Sequence, residues 1–524
     1  MKILTSFQNL KRNSISFFSG LFLFSFMLLQ SGNVIAAAFT KGNLAVFQAT
    51  ASANNTSGTI LELNPAMASQ ATAVNSYSIA ATTLRFSGSA TSTGYMANSN
   101  DGTLLCFTGA YNSTDGTSNA NTITSRGVGT LNNSYTFNVS ATYTGASGSQ
   151  TRCATTIDNT NYFIGDQGGF YTNGASTASP TGNIRSIKSF GGTVYAFTAS
   201  TTAPPVGIIS AATGGTYTGL TGLANGTSNC QDFYLISSGS NGNAFDVLYV
   251  LSATSATVGT IAKYSLVSGS WTANGSYTTN FGGFGLCASY TSGSTNLYVT
   301  SGTGATTANK VNCLVDASGY NTTVNITTAN NVTLYTAATG TIFKGIAFAP
   351  QAPAAISVVE TYIPNMSVAT PSRTINVSGS NLNTDISLAI SGTNADRFQV
   401  SPTTLTQSNG SVSNAQATVT YTNNGNQTDV ATLTLSSSGA TSVTFQLNAG
   451  ITTGILQSIN DLIISASDSK IQFNASAGET LKVYNSIGQK LVQKQTVNGE
   501  NIIQLSAKGV LLVKVGNRSA KVIL

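Results

Sequence analysis

One phrase keeps returning along the first two thirds of the chain. A turn leads into a short, almost wholly apolar run in "GNLAVF" (42–47), "GTLLCF" (102–107), "TNYFIG" (160–165), "GTVYAF" (192–197), "DVLYVL" (246–251), "TNLYVT" (295–300) and "GTIFKGIAF" (340–348). A strand that is apolar on both faces is buried on both faces. Between the phrases lie more polar, alternating stretches broken by Gly, Asn and Ser, which read as half-exposed strands and turns. The phrases recur every ~30 to 60 residues, the scale of one propeller blade. They predict a β-propeller of six or seven blades over residues 39–350, with one blade closed by both ends of the region. The apolar phrases are expected to be its inner, channel-facing strands.

Two further textures follow. After a short linker at 351–355, alternating runs such as "RTINVSGSNL" (373–382), "QATVTYT" (416–422) and "VATLTLSSS" (430–438) recur at sandwich spacing. They predict a β-sandwich over 356–450. Residues 455–524 then give a strand, a turn at Ser486–Gly488 and a second strand in "LKVYNSIGQKLVQK" (481–494). Three more short strands follow, turning at Lys508–Gly509 and Gly516–Asn517. This last region predicts a small C-terminal β-sandwich, so the whole chain reads as all-β. Residues 1–38 stand apart. Lys2, Lys11 and Arg12 precede an apolar run from Ile15 to Leu29 and then the small residues up to Ala38. The run is short for a membrane span and reads as a cleaved secretory signal. No transmembrane segment is expected in the mature chain.

Charge changes the picture. Only 7% of residues are charged, and the net charge is +6. Residues 1–38 contribute +3; residues 39–454 hold 11 Lys/Arg and 12 Asp/Glu, net −1; residues 455–524 hold 8 and 4, net +4. The long body is nearly neutral, which argues against nucleic acid as a partner. There is no histidine, which removes Ser-His-Asp and Cys-His catalysis and every His-dependent zinc site. The five cysteines, Cys106, Cys153, Cys230, Cys287 and Cys313, are widely spaced without a CxxC pair. They read as small buried strand residues rather than metal ligands, and no cofactor is expected.

Candidate chemistry is thin. A glycosidase needs two carboxylates about 5–10 Å apart, but Glu62 and Glu360 are the only glutamates between residues 39 and 454. Most aspartates there, as in "NSNDGT" (Asp101), "STDGT" (Asp115) and "IGDQGG" (Asp166), sit in turn contexts where the carboxylate caps its own backbone. Arg85, Arg126, Arg152 and Arg185 fall near strand starts in successive blades. Gathered at one face, they would bind an anionic polymer through bidentate contacts. The reading is a non-catalytic protein that binds a glycan or protein ligand. The alternative is an extracellular hydrolase acting on polysaccharide with aspartate-based catalysis.

Three resemblances add to this. The order "IAKYSLVSGSWT" (261–272), "TNLYVTSG" (295–302), "ANKVNCLVD" (308–316) and "TIFKGIAFAP" (341–350) resembles a propeller of secreted bacterial surface proteins. The succession over 356–450 resembles an immunoglobulin-like module, which implies a spacer. The run "GETLKVYNSIGQK" (478–490), then "KGVLLVKV" (508–515) and a terminal "KVIL", resembles the C-terminal sorting domain of the type IX secretion system. Gly478, Leu481, Val483, Tyr484, Gly488, Lys508, Gly509, Lys514 and Lys521 carry that match; Val510 stands where the family usually has Tyr. The resemblance implies the type IX machinery as a partner. It also implies a secreted or outer-surface location, reached through the periplasm.

Overall fold

The computed structural model describes residues 38–111, 116–210, 215–242, 244–302, 309–422, 428–450, 463–467 and 469–524. The expected signal segment lies outside them, except for Ala38. The chain is all-β: 54% is strand and 2% helix, so antiparallel sheets alone build the cores. No helix among the described residues is long and apolar enough to cross a membrane. The chain divides into two compact units between Ala352 and Pro353.

In the first unit, six antiparallel sheets follow one another. The first is ordered Thr341–Phe348, Leu44–Thr50, Gly58–Leu63, Asn75–Ile79, so the unit's last strand pairs with its first. In the second, Leu84–Arg85 and Ala97–Asn98 both pair with Leu104–Tyr111, which continues to Ser125–Asn132 and Phe137–Thr144. The third comprises Thr151–Thr156, Tyr162–Asp166 and Gly169–Tyr171. The fourth, fifth and sixth are four-stranded meanders beginning at Ile184–Phe190, Cys230–Ile236 and Gly283–Thr291. The first strands of the sheets pack on one another in cyclic order, from Ala97–Asn98 through Thr151–Thr156 round to Thr341–Phe348 and back.

Six of the seven apolar phrases are not first strands. They occupy the second place in each sheet, as in Leu44–Thr50, Tyr162–Asp166 and Val247–Ala253. A second-place strand has a sheet partner on each side and neighbouring sheets above and below, so all five positions of Tyr162–Asp166 are buried. The seventh phrase, Thr341–Phe348, is the first strand of the first sheet. Seven phrases therefore mark six sheets. The first strands, expected to be apolar, instead carry charge: IRSIKSF over Ile184–Phe190 and CQDFYLI over Cys230–Ile236.

Glycine makes the closure possible. Gly345 donates its N–H to the Gly94 carbonyl at 2.8 Å. A Cβ at Gly345 would lie 2.5 Å from that oxygen and 2.6 Å from the Met96 nitrogen, and one at Gly285 would lie 2.9 Å from the Ile346 nitrogen. Real side chains do not fit at such distances, so backbone packs on backbone here.

The second unit holds two separate cores. Residues 354–449 form two four-stranded sheets, ordered Ala355–Val358, Ser372–Ser380, Val412–Tyr421, Phe398–Ser401 and Thr404–Leu405, Ile386–Ser391, Asp429–Ser436, Val443–Ala449. Their inward side chains, among them Val377, Leu388, Val419 and Leu433, share one apolar cluster. The last region packs a three-stranded sheet (Ile464–Ser467, Lys470–Ala475, Gly499–Gln504) on a four-stranded one (Lys490–Gln495, Thr480–Asn485, Val510–Val515, Arg518–Ile523). Val510–Val515 alternates strictly, pointing Leu511, Val513 and Val515 inward and the residues between them outward.

Candidate functional site

Lysine and arginine are rarely fully buried unless paired, yet five of the nine in residues 39–352 are: Arg126, Arg152, Lys188, Lys263 and Lys344. Three of them reach an aspartate of a following sheet. Arg126 pairs with Asp166, which also accepts from the Tyr143 hydroxyl at 2.8 Å. Lys188 pairs with Asp232 at 2.9 Å and donates to the Leu286 carbonyl at 2.8 Å. Lys263 pairs with Asp316 at 2.9 Å, and Asp316 accepts from Tyr249 at 2.7 Å. Between the first and second sheets, buried Glu62 accepts from Tyr135 at 2.6 Å and Asn43 at 2.7 Å. Burial pushes the Asp316 carboxyl upward, but the Asn325 N–H, the Ser318 hydroxyl, Lys263 and Tyr249 outweigh it and hold the group below its ordinary value.

The four arginines singled out in the sequence do not form one exposed ring. Arg126 is wholly buried, and besides Asp166 it donates to the carbonyls of Asn121, Ala146 and Ser149. Arg85 is half-buried and donates to Asn55 at 3.0 Å. Arg152, 2% exposed, donates to Asn183, to the Ile184 carbonyl and to Ser92. Arg185, half-buried, donates to Gln231 at 2.9 Å. The expectation of solvent-facing guanidinium groups thus fails at Arg126 and Arg152, because internal acceptors enclose them. Arg152 and Arg185 do come together: burial, with Arg185's charge adding to it, pulls Arg152 down to about 10 against the opposing influence of Tyr95 and Asp166. Nearby, Lys344 donates to the Ala90 carbonyl at 2.6 Å and lies over the Phe284 ring; burial pushes its amine down to about 7.

The remaining described carboxylates of the first unit are also occupied. Asp101 accepts from Ser99, from the Thr103 N–H and hydroxyl, and from Asn159. Asp158 accepts from the Thr160 and Asn161 N–H groups at 2.9 and 2.7 Å. Asp246 accepts from the Ser238 N–H and hydroxyl, both at 2.7 Å. Asp115 lies outside the described residues. Among the described residues no three His, Cys, Asp or Glu side chains group as a metal site. All five cysteines are buried and unbridged; burial raises the Cys153 thiol to about 12 and Cys313 to about 11.

Lys188, Lys263, Tyr95 and Gln231 were not singled out in the sequence, and Glu62 was weighed there only as a candidate catalytic carboxylate. A signal was there for Lys188, Lys263 and Glu62: a charge inside a largely apolar strand, as in "IRSIKSF", "IAKYSLV" and "TILEL".

In the last domain the motif residues divide by role. Leu481 and Val483 are buried in the core. Gly478, Gly488 and Gly509 have φ of 84°, 83° and 97° at turns, where glycine carries no steric penalty. Gly509 exchanges hydrogen bonds with Leu524, pinning the chain end. Lys508, Lys514 and Lys521 are exposed. A groove of about 400 Å³ on this domain is lined by Tyr484, Gly488, Val510, Leu512 and Lys521, among others. In register, Tyr484 faces Leu512, Leu512 faces Lys521, and Lys482 faces Lys514. The result is an apolar groove with Lys521 in its lining.

No protein-family model matches the chain, and no curated protein matches it significantly. Among solved structures, a Bacteroides caccae protein of unknown function aligns at 11% identity and TM-score 0.32, covering 60% of this chain and all of its own. PorZ of Porphyromonas gingivalis, a surface component of the type IX secretion system, aligns at 11% identity and TM-score 0.17, covering 92% of this chain and 81% of its own. The Pseudomonas aeruginosa periplasmic gluconolactonase PpgL aligns at 8% and 0.22, covering 88% and 99%. Likenesses this low carry no argument about fold or function.

Proposed function

We propose that this chain is a secreted, surface-exposed binding protein without a catalytic centre, exported through its last domain. Residues 39–350 are read as a six-bladed β-propeller. Support comes from the six consecutive sheets, the cyclic packing of their first strands, and the pairing of Thr341–Phe348 with Leu44–Thr50. Residues 356–450 are read as an immunoglobulin-like spacer and 455–524 as a type IX sorting domain, with the groove containing Lys521 as the surface met by the export machinery. The ligand, a glycan or a protein, is held by propeller loops rich in Asn, Ser, Thr and Gly.

One observation carries the non-catalytic reading. Every described carboxylate of residues 38–352 already accepts hydrogen bonds from its own chain, and four of the seven lie buried between sheets. General acid–base work needs a carboxylate within reach of substrate. The test is to incubate the purified chain with candidate polysaccharides and peptides. Retention without new reducing ends or cleaved products is expected. Sustained turnover abolished by Asp101→Asn or Asp158→Asn would establish the hydrolase instead.

A further inference from the structure

Three successive first strands place polar side chains at one level. Arg152, Arg185 and Gln231 are each the second residue of their strands, Thr151–Thr156, Ile184–Phe190 and Cys230–Ile236. The next first strand, Gly283–Thr291, has Phe284 at that position, and buried Tyr95 stacks on it with ring centroids 4.2 Å apart. The Tyr95 hydroxyl reaches toward Gln231 at 3.4 Å. This layer contains two guanidinium groups and no carboxylate.

Of the other four buried cations of this unit, Arg126, Lys188 and Lys263 each meet an aspartate and the fourth, Lys344, donates to the Ala90 carbonyl. Arg152 is as deeply buried, but its acceptors are an amide, a carbonyl and a hydroxyl, all neutral. Arg185 likewise meets neutral groups, the Gln231 amide, the Ser228 carbonyl and the Tyr95 hydroxyl. Asp166 lies near enough to act on Arg152 but is not among its hydrogen-bond acceptors, and a buried charge without a directly bonded counter-charge is costly. Moreover, the Nε atoms of both arginines are buried and have no acceptor. An Nε–H with an adjacent Nη–H is the edge with which a guanidinium grips two oxygens of one anion. Arg185 is half-buried while Arg152 is enclosed, so entry is from the Arg185 side.

We propose that Arg185, with Arg152 behind it, binds a small oxyanion at this level of the first unit. The oxyanion is either a free inorganic ion or the carboxylate of an acidic sugar. This deepens the binding reading above by giving the ligand a charge. A chain that retains neutral glycans but shows no oxyanion effect would sink this site and leave that reading standing.

The experiment follows thermal unfolding by the fluorescence of Trp271, the chain's single tryptophan, buried in the first unit. Sulfate is compared with chloride at matched ionic strength, and glucuronate with glucose. Sulfate stabilises proteins generally, so the readout is the difference between the unsubstituted chain and Arg185→Gln, whose half-buried site tolerates the change. A sulfate shift larger by about 2 °C or more in the unsubstituted chain is expected. An equal excess with glucuronate identifies the acidic sugar as the source; an excess with sulfate alone identifies the inorganic ion. Lys310→Gln, at an exposed strand end, should behave as the unsubstituted chain. Equal shifts in the unsubstituted chain and Arg185→Gln, with both anions, would overturn the proposal.

Discussion

Thr151–Thr156 in the first unit is buried at all six positions, whereas Val510–Val515 in the last domain buries every second one. The same contrast holds for charge. Five of nine lysines and arginines in residues 39–352 are buried; in residues 463–524 none of the eight is. A strand covered on both faces has no outward side, so any charge it bears must find its partner inside. A strand covered on one face can carry lysine freely on the other. Two-sided burial thus forces the charges of these strands to find partners inside, whereas the lysine-rich tail needs only one-sided alternation. In the body, charge joins sheet to sheet; in the tail, every lysine and arginine stays out of the core.

The comparison breaks most readily at the buried pairs. Asp232→Ala leaves Lys188 buried without its carboxylate and should cost ~3–5 kcal/mol, read as a lowered denaturant midpoint of Trp271 fluorescence. Gly345→Ala should be comparably damaging, because its Cβ would meet backbone atoms. A midpoint within experimental error of the unsubstituted chain for either would contradict the interior role assigned to them.

Acid should weaken the first unit next. Burial pushes Asp101 upward, but Ser99, Thr103 and Asn159 outweigh it, and its carboxyl sits below 3.8; Asp316 is likewise depressed. A depressed carboxyl contributes stability that is complete above the unfolded value and disappears as pH falls through the folded one. Below about pH 5, under the range in which Lys344 titrates, these two carboxyls should weaken the Trp271 transition, most of the loss falling below 3.8. Asp101→Asn should flatten part of that acid slope. An unchanged slope would remove Asp101 from the account.

Thiol labelling sharpens the contrast further. With Cys153 raised to about 12 and Cys313 to about 11 by burial, a maleimide should modify fewer than three of the five cysteines in native protein and all of them after denaturation. The smallest effect is expected in the tail. Lys482→Ala removes an outward side chain directly opposite Lys514 and should change the last domain's stability by no more than about 0.5 kcal/mol.

Much of this architecture was legible in residue patterns. The alternation over 481–494 and 501–524 gave the tail's strands and turns close to where they stand, because one-sided burial writes itself as a period of two. The apolar phrases marked a strand in every sheet of the first unit, but their place within the sheet was not legible. Two-sided burial leaves no period to read, and the charged first strands looked more exposed than the phrases. The pairing of Arg126 with Asp166 spans 40 residues and two sheets, and no local pattern encodes it. The same holds for Arg152 and Arg185: their strand-start positions were visible, but which of the four arginines would meet depended on packing.

The division between interior charge in the body and outward charge in the tail is tested most directly at export. Replacing Lys482, Lys490, Lys514 and Lys521 together with Gln removes outward positive charge from the tail, that of Lys521 in its groove included, and leaves its core untouched. The variant should fold, its last domain resisting proteolysis as it does in the unsubstituted chain, yet accumulate in the periplasm on fractionation. Deleting residues 455–524 should give the same location. Delivery of the folded quadruple variant to the cell surface at the unsubstituted level would contradict the account.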